Sequence, residues 1–151
     1  METYISVDYA NEFWDARINP IWDNASQEEK QAAIIWATEA LDSMFEYPGR
    51  IQNINQKLNF PRIDAYDKQG RLLRGIPDPV KRATAYLAGQ HIESPIFKVL
   101  DRGGRISSVV AGSVRVEWER GATPHRVFRY VSRVMSDIVG RSRSNIKLVR
   151  S

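Results

Sequence analysis

Apolar side chains recur at helical spacing in several stretches of the chain, and polar residues separate these stretches. The first stretch follows Ser6, whose hydroxyl suits the position before a helix, and it predicts a helix over residues 7–17. Residues 19–24 should interrupt it, because Pro20 lacks the amide that a helix interior uses and disfavours helical geometry at the preceding residue. We therefore expect a short first helix followed by a break.

The second stretch is the longest and the most apolar. Ser26 and Glu29 have the spacing of a capping box, in which each side chain accepts a hydrogen bond from the backbone of the other residue. The apolar positions continue until residues 47–49, where Tyr-Pro-Gly ends the pattern. We expect this helix to lie at the centre of the core.

Two further helices are predicted near the middle and the end of the chain. The third begins at Pro77 and Pro79, where a first turn tolerates missing amides, and ends before Ser94. The fourth runs from Pro124 to Gly140. Its apolar stripe consists of Val127, Val131, Val134 and Ile138.

The segments between and after these helices have other patterns. Residues 50–77 are rich in turn-forming residues and predict a long ordered loop that includes a short ribbon. Apolar and polar residues alternate near residues 105–119, which predicts a β-hairpin. Residues 141–151 are short and polar and predict an extended arm. The expected fold is mainly α: a four-helix bundle with a β-hairpin, forming one domain over residues 1–140, and a C-terminal arm.

Charge is distributed unevenly along the chain. Residues 1–50 hold ten acids and three bases, a net charge of −7. Residues 120–151 hold eight bases and one acid, a net charge of +7, and the segment between contributes +4. This polarity suits either copies that meet front to rear or a partner with negative charge, although charged residues often form only a solvated face.

Several kinds of chemistry lack the residues they require. The chain has no cysteine and only two histidines, His91 and His125, so neither a metal site nor a catalytic triad is expected. Glycine-rich nucleotide-binding motifs are also missing, and we expect no cofactor and no enzymatic activity. The N-terminal residues do not resemble a secretory signal, and no apolar run is long enough for a membrane span, which predicts synthesis in the cytoplasm.

Binding to nucleic acid is a function that the composition leaves open. Phe128 and Tyr130 lie among basic residues and could stack on bases, although their positions beside an apolar stripe favour packing against the domain. The four tryptophans likewise favour positions in the core. The basic residues of this region are Arg126, Arg129, Arg133, Arg141, Arg143 and Lys147.

Four segments together resemble a known family. Residues 6–17, 31–42, 56–62 and 76–80 are similar in order and spacing to small tailed-phage proteins catalogued as DnaT-like single-strand DNA-binding proteins, which look like head-tail adaptor proteins of the virion neck. The resemblance implies a structural protein that forms a ring of about twelve copies beneath the portal, seals the head and provides a platform for the tail. The alternative is a replication accessory that binds single-stranded DNA.

The resemblance also implies roles for particular residues and partners. Six residues of the arm would bind the portal protein: Arg141, Arg143, Ile146, Lys147, Leu148 and Arg150. Six others would contact a neighbouring copy or the next ring: Gln56, Arg62, Arg71, Arg74, Arg115 and Glu117. The expected partners are the portal, other copies of the chain, a tail-side neck or tail terminator protein, and packaged DNA without base recognition.

Overall fold

The computed structural model describes residues 2–96 and 122–139, with side chains from residue 129 onwards in the second range. Within these ranges it is mainly helical, as predicted. The helices are α1 (Val7–Asp15), α2 (Pro20–Asp23), α3 (Gln27–Met44), α4 (Asp78–Glu93) and α5 (Ala122–Val139). The strands are β1 (Arg50–Ile51) and β2 (Arg62–Ile63). The predicted hairpin near residues 105–119 and the arm at residues 141–151 lie outside the described residues.

The predicted break after the first helix contains a helix of its own. Asn19 caps α2, and its side-chain oxygen accepts hydrogen bonds from the amides of Ile21 and Trp22, each at 3.1 Å. Pro20 occupies the first position of α2, where the missing amide has no partner to lose. The indole of Trp22 is fully buried and donates to Asn11 Oδ1 at 2.9 Å. The first helix is therefore interrupted as predicted, but the pattern did not predict the short helix α2 within the interruption.

The capping box predicted for the second helical stretch is confirmed at the start of α3. Ser26 N donates to Glu29 Oε1 at 2.8 Å, and Glu29 N donates to Ser26 Oγ at 3.1 Å. Ile34 and Leu41 of this helix are fully buried. Trp36 is 43% exposed, so the expectation that all four tryptophans lie in the core was wrong at this position.

The helix that packs against all four other helices is α4 rather than α3. Small residues make this position possible, since Ala83, Ala85 and Gly89 are all buried in its surface. A Cβ atom at Gly89 would collide with the indole of Trp14 on α1. Trp14 Nε1 donates to the carbonyl of Ala85 at 2.9 Å, which ties α1 to α4.

The last helix contributes an apolar stripe that differs by one residue from the prediction. Val131, Met135 and Ile138 are buried, whereas Val134 is only partly buried. The buried set follows i, i+4 and i+7 spacing, with Met135 in the place that the pattern gave to Val134. Among the described residues, no helix is long and apolar enough to cross a membrane.

The long loop between α3 and α4 is ordered and contains the predicted short ribbon. β1 and β2 pair in antiparallel register, with Arg50 opposite Ile63 and Ile51 opposite Arg62. Gly49 precedes β1 with a φ of +70°, and a side chain there would collide with the carbonyl of Ile63.

Candidate nucleic-acid interface

The outer face of α5 carries two arginines one turn apart. Arg129 and Arg133 are exposed, whereas Val131 and Met135 on the other side of the helix are buried. A step of four residues advances about 6 Å along an α-helix, so the two guanidinium groups are neighbours on one face. The core-forming side of α5 therefore leaves a cationic side open to a partner.

Aromatic stacking fixes the position of this helix. The ring of Tyr130 stacks on Tyr86 of α4 with centroids 4.2 Å apart, and Tyr86 lies 6.0 Å from the ring of Trp14. Tyr130 is half-buried in this stack. Of the two open roles for Tyr130, packing against the domain is the one that the structure favours. The side chain of Phe128 lies outside the described residues.

A tight turn over residues 65–73, here called the basic turn, lies beside α5. Leu73 N donates to the carbonyl of Ala65 at 2.8 Å, and Asp67 N donates to the carbonyl of Arg71 at 2.9 Å. Asp67 organises the tip, because Oδ1 accepts from the amides of Gln69 and Arg71. The amide of Arg71 is the main cause that lowers the pKa of Asp67.

The basic turn is docked onto α5 through Lys68. Lys68 N donates to the carbonyl of Asp137 at 2.8 Å, and Lys68 Nζ lies 3.6 Å from Asp137 Oδ1. Both side chains are about half exposed, so this ion pair is worth less than about 1 kcal/mol. The ion pair matters because it positions the basic turn against α5. Asp137 lies one turn after Arg133, so Lys68 lies on the same side of α5 as Arg133.

The combined surface has an excess of positive charge and one exposed aromatic ring. Residues 65–74 and 129–139 hold five cations against two carboxylates, a net charge of +3. The cations are Lys68, Arg71, Arg74, Arg129 and Arg133. Tyr66 is 52% exposed and pairs across the basic turn with Leu72. Phosphates and an exposed base could both find partners here.

Tyr66 and Lys68 were not among the residues predicted from the sequence to contact a partner. The signal was present, since Asp67 and Gly70 mark a turn between two apolar positions. What the sequence lacked was the contact of Lys68 with Asp137 of α5, which lies 69 residues further along the chain.

Two of the predicted contact residues belong to this surface. Arg71 is exposed, and its Nε lies 2.8 Å from Asp67 Oδ2. Arg74 is exposed just after the turn. Both are placed where a partner could reach them, while contact with a neighbouring copy stays a prediction.

Arg62 has internal partners. Its guanidinium donates to four backbone carbonyls of the same loop, those of Tyr47, Pro48, Gly49 and Asn59. The side chain therefore holds the two ends of the segment from residue 47 to residue 62 together. Its predicted contact with another copy stays a prediction, and the structure assigns the guanidinium a role within the loop.

Gln56 likewise organises the loop from inside. Its Nε2 donates to the carbonyls of Leu58 and Pro61 at 2.8 and 2.9 Å, and its Oε1 accepts from Asn53 N at 2.9 Å. These bonds hold Ile54 at the tip of the loop, where it is 87% exposed. The remaining predicted site residues lie outside the described ones: Arg115, Glu117, Arg141, Arg143, Ile146, Lys147, Leu148 and Arg150.

A buried polar cluster joins the N-terminal residues to the same loop. The hydroxyl of Tyr4 donates to Asp42 Oδ1, and Asn59 N donates to Asp42 Oδ2 at 3.2 Å. Burial raises the pKa of Asp42, although its hydrogen bonds from Tyr4 and Asn59 oppose the shift. Burial, together with the neighbouring Asp42 carboxylate, also raises the pKa of Tyr4. The cluster fixes the loop on α3.

The described residues offer little for metal binding. Within residues 2–96 and the described part of α5, no three histidine, cysteine or acidic side chains lie close enough to share an ion. His91 stacks on Trp36 with centroids 5.8 Å apart, and its Nδ1 accepts from Ile96 N at 3.0 Å. Burial lowers the pKa of His91, which suits a structural acceptor beyond the end of α4.

The fold and this surface define a small helical protein with a cationic face made by its last helix and a docked turn. The whole chain, residues 1–151, matches the model of the family described as "Putative DnaT-like ssDNA binding protein", and the chain belongs to that family. No curated protein and no solved structure matched the chain. The matches do not support the expected assignment to phage head-tail adaptors or to the virion neck.

Proposed function

We propose that the protein binds single-stranded DNA through its cationic face and does so without reading the base sequence. The observation that carries this proposal is the docking of Lys68 onto α5, which brings a cation of the long loop onto the helix that carries Arg129 and Arg133. Membership of a family described as binding single-stranded DNA supports it. We also propose that the protein has no catalytic activity and requires no cofactor.

The chemistry of the surface suits a flexible, negatively charged strand. Arg129 and Arg133 can donate to phosphate oxygens, and their guanidinium groups suit bidentate contacts. Tyr66 offers an exposed ring on which any base can stack. Neither kind of contact depends on the pattern of donors and acceptors at base edges, so little sequence preference is expected.

A salt titration tests the proposal. The affinity for a labelled oligothymidylate is measured by fluorescence anisotropy at several salt concentrations, with the wild type and an Arg129→Ala/Arg133→Ala variant. If the two arginines bind phosphates, the slope of log K against log salt should fall by about 1.4 in magnitude, since each phosphate contact on a single strand contributes about 0.7.

The matched control removes the same charge elsewhere. Arg50 and Lys57 are exposed on the other part of the long loop, and the Arg50→Ala/Lys57→Ala variant should leave the slope nearly unchanged. Equal losses in both variants would mean that only net charge matters. Absence of salt-dependent binding by the wild type would also overturn the proposal.

Tyr66 provides a second, independent measurement. Tyr66→Leu should weaken binding by about 1–3 kcal/mol through loss of stacking, whereas Tyr66→Phe should retain it. If the leucine variant binds as tightly as the phenylalanine variant, bases do not stack on this ring.

A head-tail adaptor of a tailed phage is a second candidate function. The observation that favours it is Ile54, an exposed apolar residue that the hydrogen bonds of Gln56 hold at the tip of the long loop, where another protein could contact it. In that role copies would form a ring beneath a portal protein, residues 141–151 would dock on the portal, and a tail-side neck or terminator protein would bind the opposite face. Deletion of residues 141–151 should then abolish portal attachment as seen by electron microscopy. Unchanged attachment would exclude the predicted role of the arm.

A further inference from the structure

The turn between α1 and α2 contains an isoleucine in an unfavourable position. Ile18 has a φ of +57°, a left-handed conformation that β-branched residues rarely adopt, and its side chain is 81% exposed. Glycine or asparagine would fit this position after a helix with less strain. Neither the backbone nor the core of the described residues therefore explains an isoleucine here.

Ile21 extends this exposed surface. It lies in the first turn of α2 and is 45% exposed, so Ile18 and Ile21 form a small apolar patch beside the buried Trp22. An apolar patch with a strained residue at its centre is a site where contact with another segment can offset the strain.

Carboxylates lie on both sides of the patch along the chain. Residues 12–24 contain three exposed carboxylates, those of Glu12, Asp15 and Asp23, and one cation, Arg17. The guanidinium of Arg17 lies over the ring of Phe13 and donates to its carbonyl at 2.9 Å, which holds the charge against α1. Asp15 also lies at the C-terminal end of α1, where the helix dipole adds negative potential.

We propose that residues 141–151 of the same chain dock on this patch, which we call the Ile18 patch. The segment has the complementary composition: three apolar residues and four cations, with no acidic side chain. The apolar residues are Ile146, Leu148 and Val149, and the cations are Arg141, Arg143, Lys147 and Arg150. The apolar side chains cover Ile18 and Ile21, and the cations meet the carboxylates of the rim.

The segment is long enough to reach the patch. The stack of Tyr130 on Tyr86, beside Trp14, connects α5 to α1, and Ile18 follows Trp14 by four residues. The path from Val139 along α5 and across this stack to Ile18 is on the order of 30 Å. Nine residues in extended conformation span about 30 Å, so a residue near position 148 can lie on the patch.

Docking gives the basic segment a defined place within the protein. Its four cations are then neutralised in part by the acidic end of the same chain, so they compete less strongly for polyanions. A long anionic strand would displace the segment by binding those cations itself. This consequence rests on the proposed DNA-binding function, whereas the docking does not.

Limited proteolysis of the full chain tests the proposal directly. Trypsin cleavage after Arg141, Arg143 and Lys147 is followed by mass spectrometry in the wild type and in an Ile18→Gly/Ile21→Ser variant. Glycine fits the left-handed conformation at position 18, so the variant should fold, which circular dichroism checks. Loss of the contact should raise the cleavage rate about tenfold, because trypsin acts on the released form.

Ile54 provides the matched control. It is also a highly exposed isoleucine, and Ile54→Ser should leave cleavage at the wild-type rate. High salt should accelerate cleavage of the wild type, since the rim contacts are ionic. Equal rates in all three proteins would overturn the proposal, and so would protection that rises with protein concentration, because the segment would then come from another copy.

The outcome is separate from that of the DNA titration, because the proteolysis contains no DNA. Protection of the segment in a protein that fails to bind single strands would retain the docking and refute the proposed function. Binding of single strands by a protein whose segment is unprotected would support the proposed function and refute the docking.

Discussion

Replacing Arg62 by methionine should destabilise the protein by removing the cross-link between the two ends of its long loop. The guanidinium donates to the carbonyls of Asn59 and Gly49 at 3.0 Å each, to that of Pro48, and to that of Tyr47 at a longer 3.4 Å. Methionine keeps a similar chain length without any donor.

The size of the effect follows from the exposure of the loop. Three of the four hydrogen bonds are well formed, and each contributes about 0.5–1 kcal/mol where water can replace the lost donor. Arg62 is half-buried, so solvent screens the charge of its guanidinium and this range applies. The expected loss is about 2 kcal/mol, which for a chain of this size lowers Tm by roughly 4–8 °C.

Urea unfolding followed by tryptophan fluorescence measures this loss, because Trp14 and Trp22 are buried in the native state. Arg71→Met is the matched control: Arg71 is exposed in the same loop, and its loss should cost about 0.5 kcal/mol or less. An Arg62 variant as stable as the control would refute the inference that its hydrogen bonds hold the loop.

Two further changes test the core and its polar cluster. Gly89→Ala should destabilise by about 1–3 kcal/mol in the same urea assay, because the added Cβ collides with the rigid indole of Trp14; wild-type stability would mean that α1 and α4 are further apart. Asp42→Asn tests pH dependence. Burial raises the pKa of Asp42 above its ordinary 3.8, so its contribution to stability is fully present below that pH and falls as pH rises through the raised pKa. Asparagine does not ionise there, and the stability of the variant relative to the wild type should therefore increase with pH over this window; a flat or falling difference would contradict the assignment.

Local hydrogen bonding explains which parts of the fold were predictable. The caps at Ser6 and at Ser26 with Glu29 join residues three positions apart, so four letters of sequence are enough to recognise them. Asn19 and Pro20 carry a local signal of the same kind, a cap followed by a proline in the first turn, but proline also ends helices. The sequence pattern does not separate these two effects, and α2 was therefore not predicted.

Side-chain packing determines which helix lies at the centre of the core, and hydrophobic periodicity does not. An apolar stripe indicates which residues face a neighbour, and α3 was expected to be central because its stripe is the longest. The structure places α4 there, since Gly89 and the alanines around it let the indole of Trp14 and the other helices approach closely. Small residues have weak hydrophobicity, and the pattern therefore undervalued them.

The candidate site also has features that the sequence predicts and features that depend on the fold. Composition and periodicity are enough to show that basic residues concentrate toward the C-terminal end, that Arg129 and Arg133 share a helix face, and that a turn lies near Asp67. Only the tertiary structure decided that Lys68 reaches Asp137 and that the guanidinium of Arg62 is engaged by its own loop. The physical reason is range: charge and periodicity are properties of neighbours along the chain, whereas the partner of a side chain depends on segments that folding brings together.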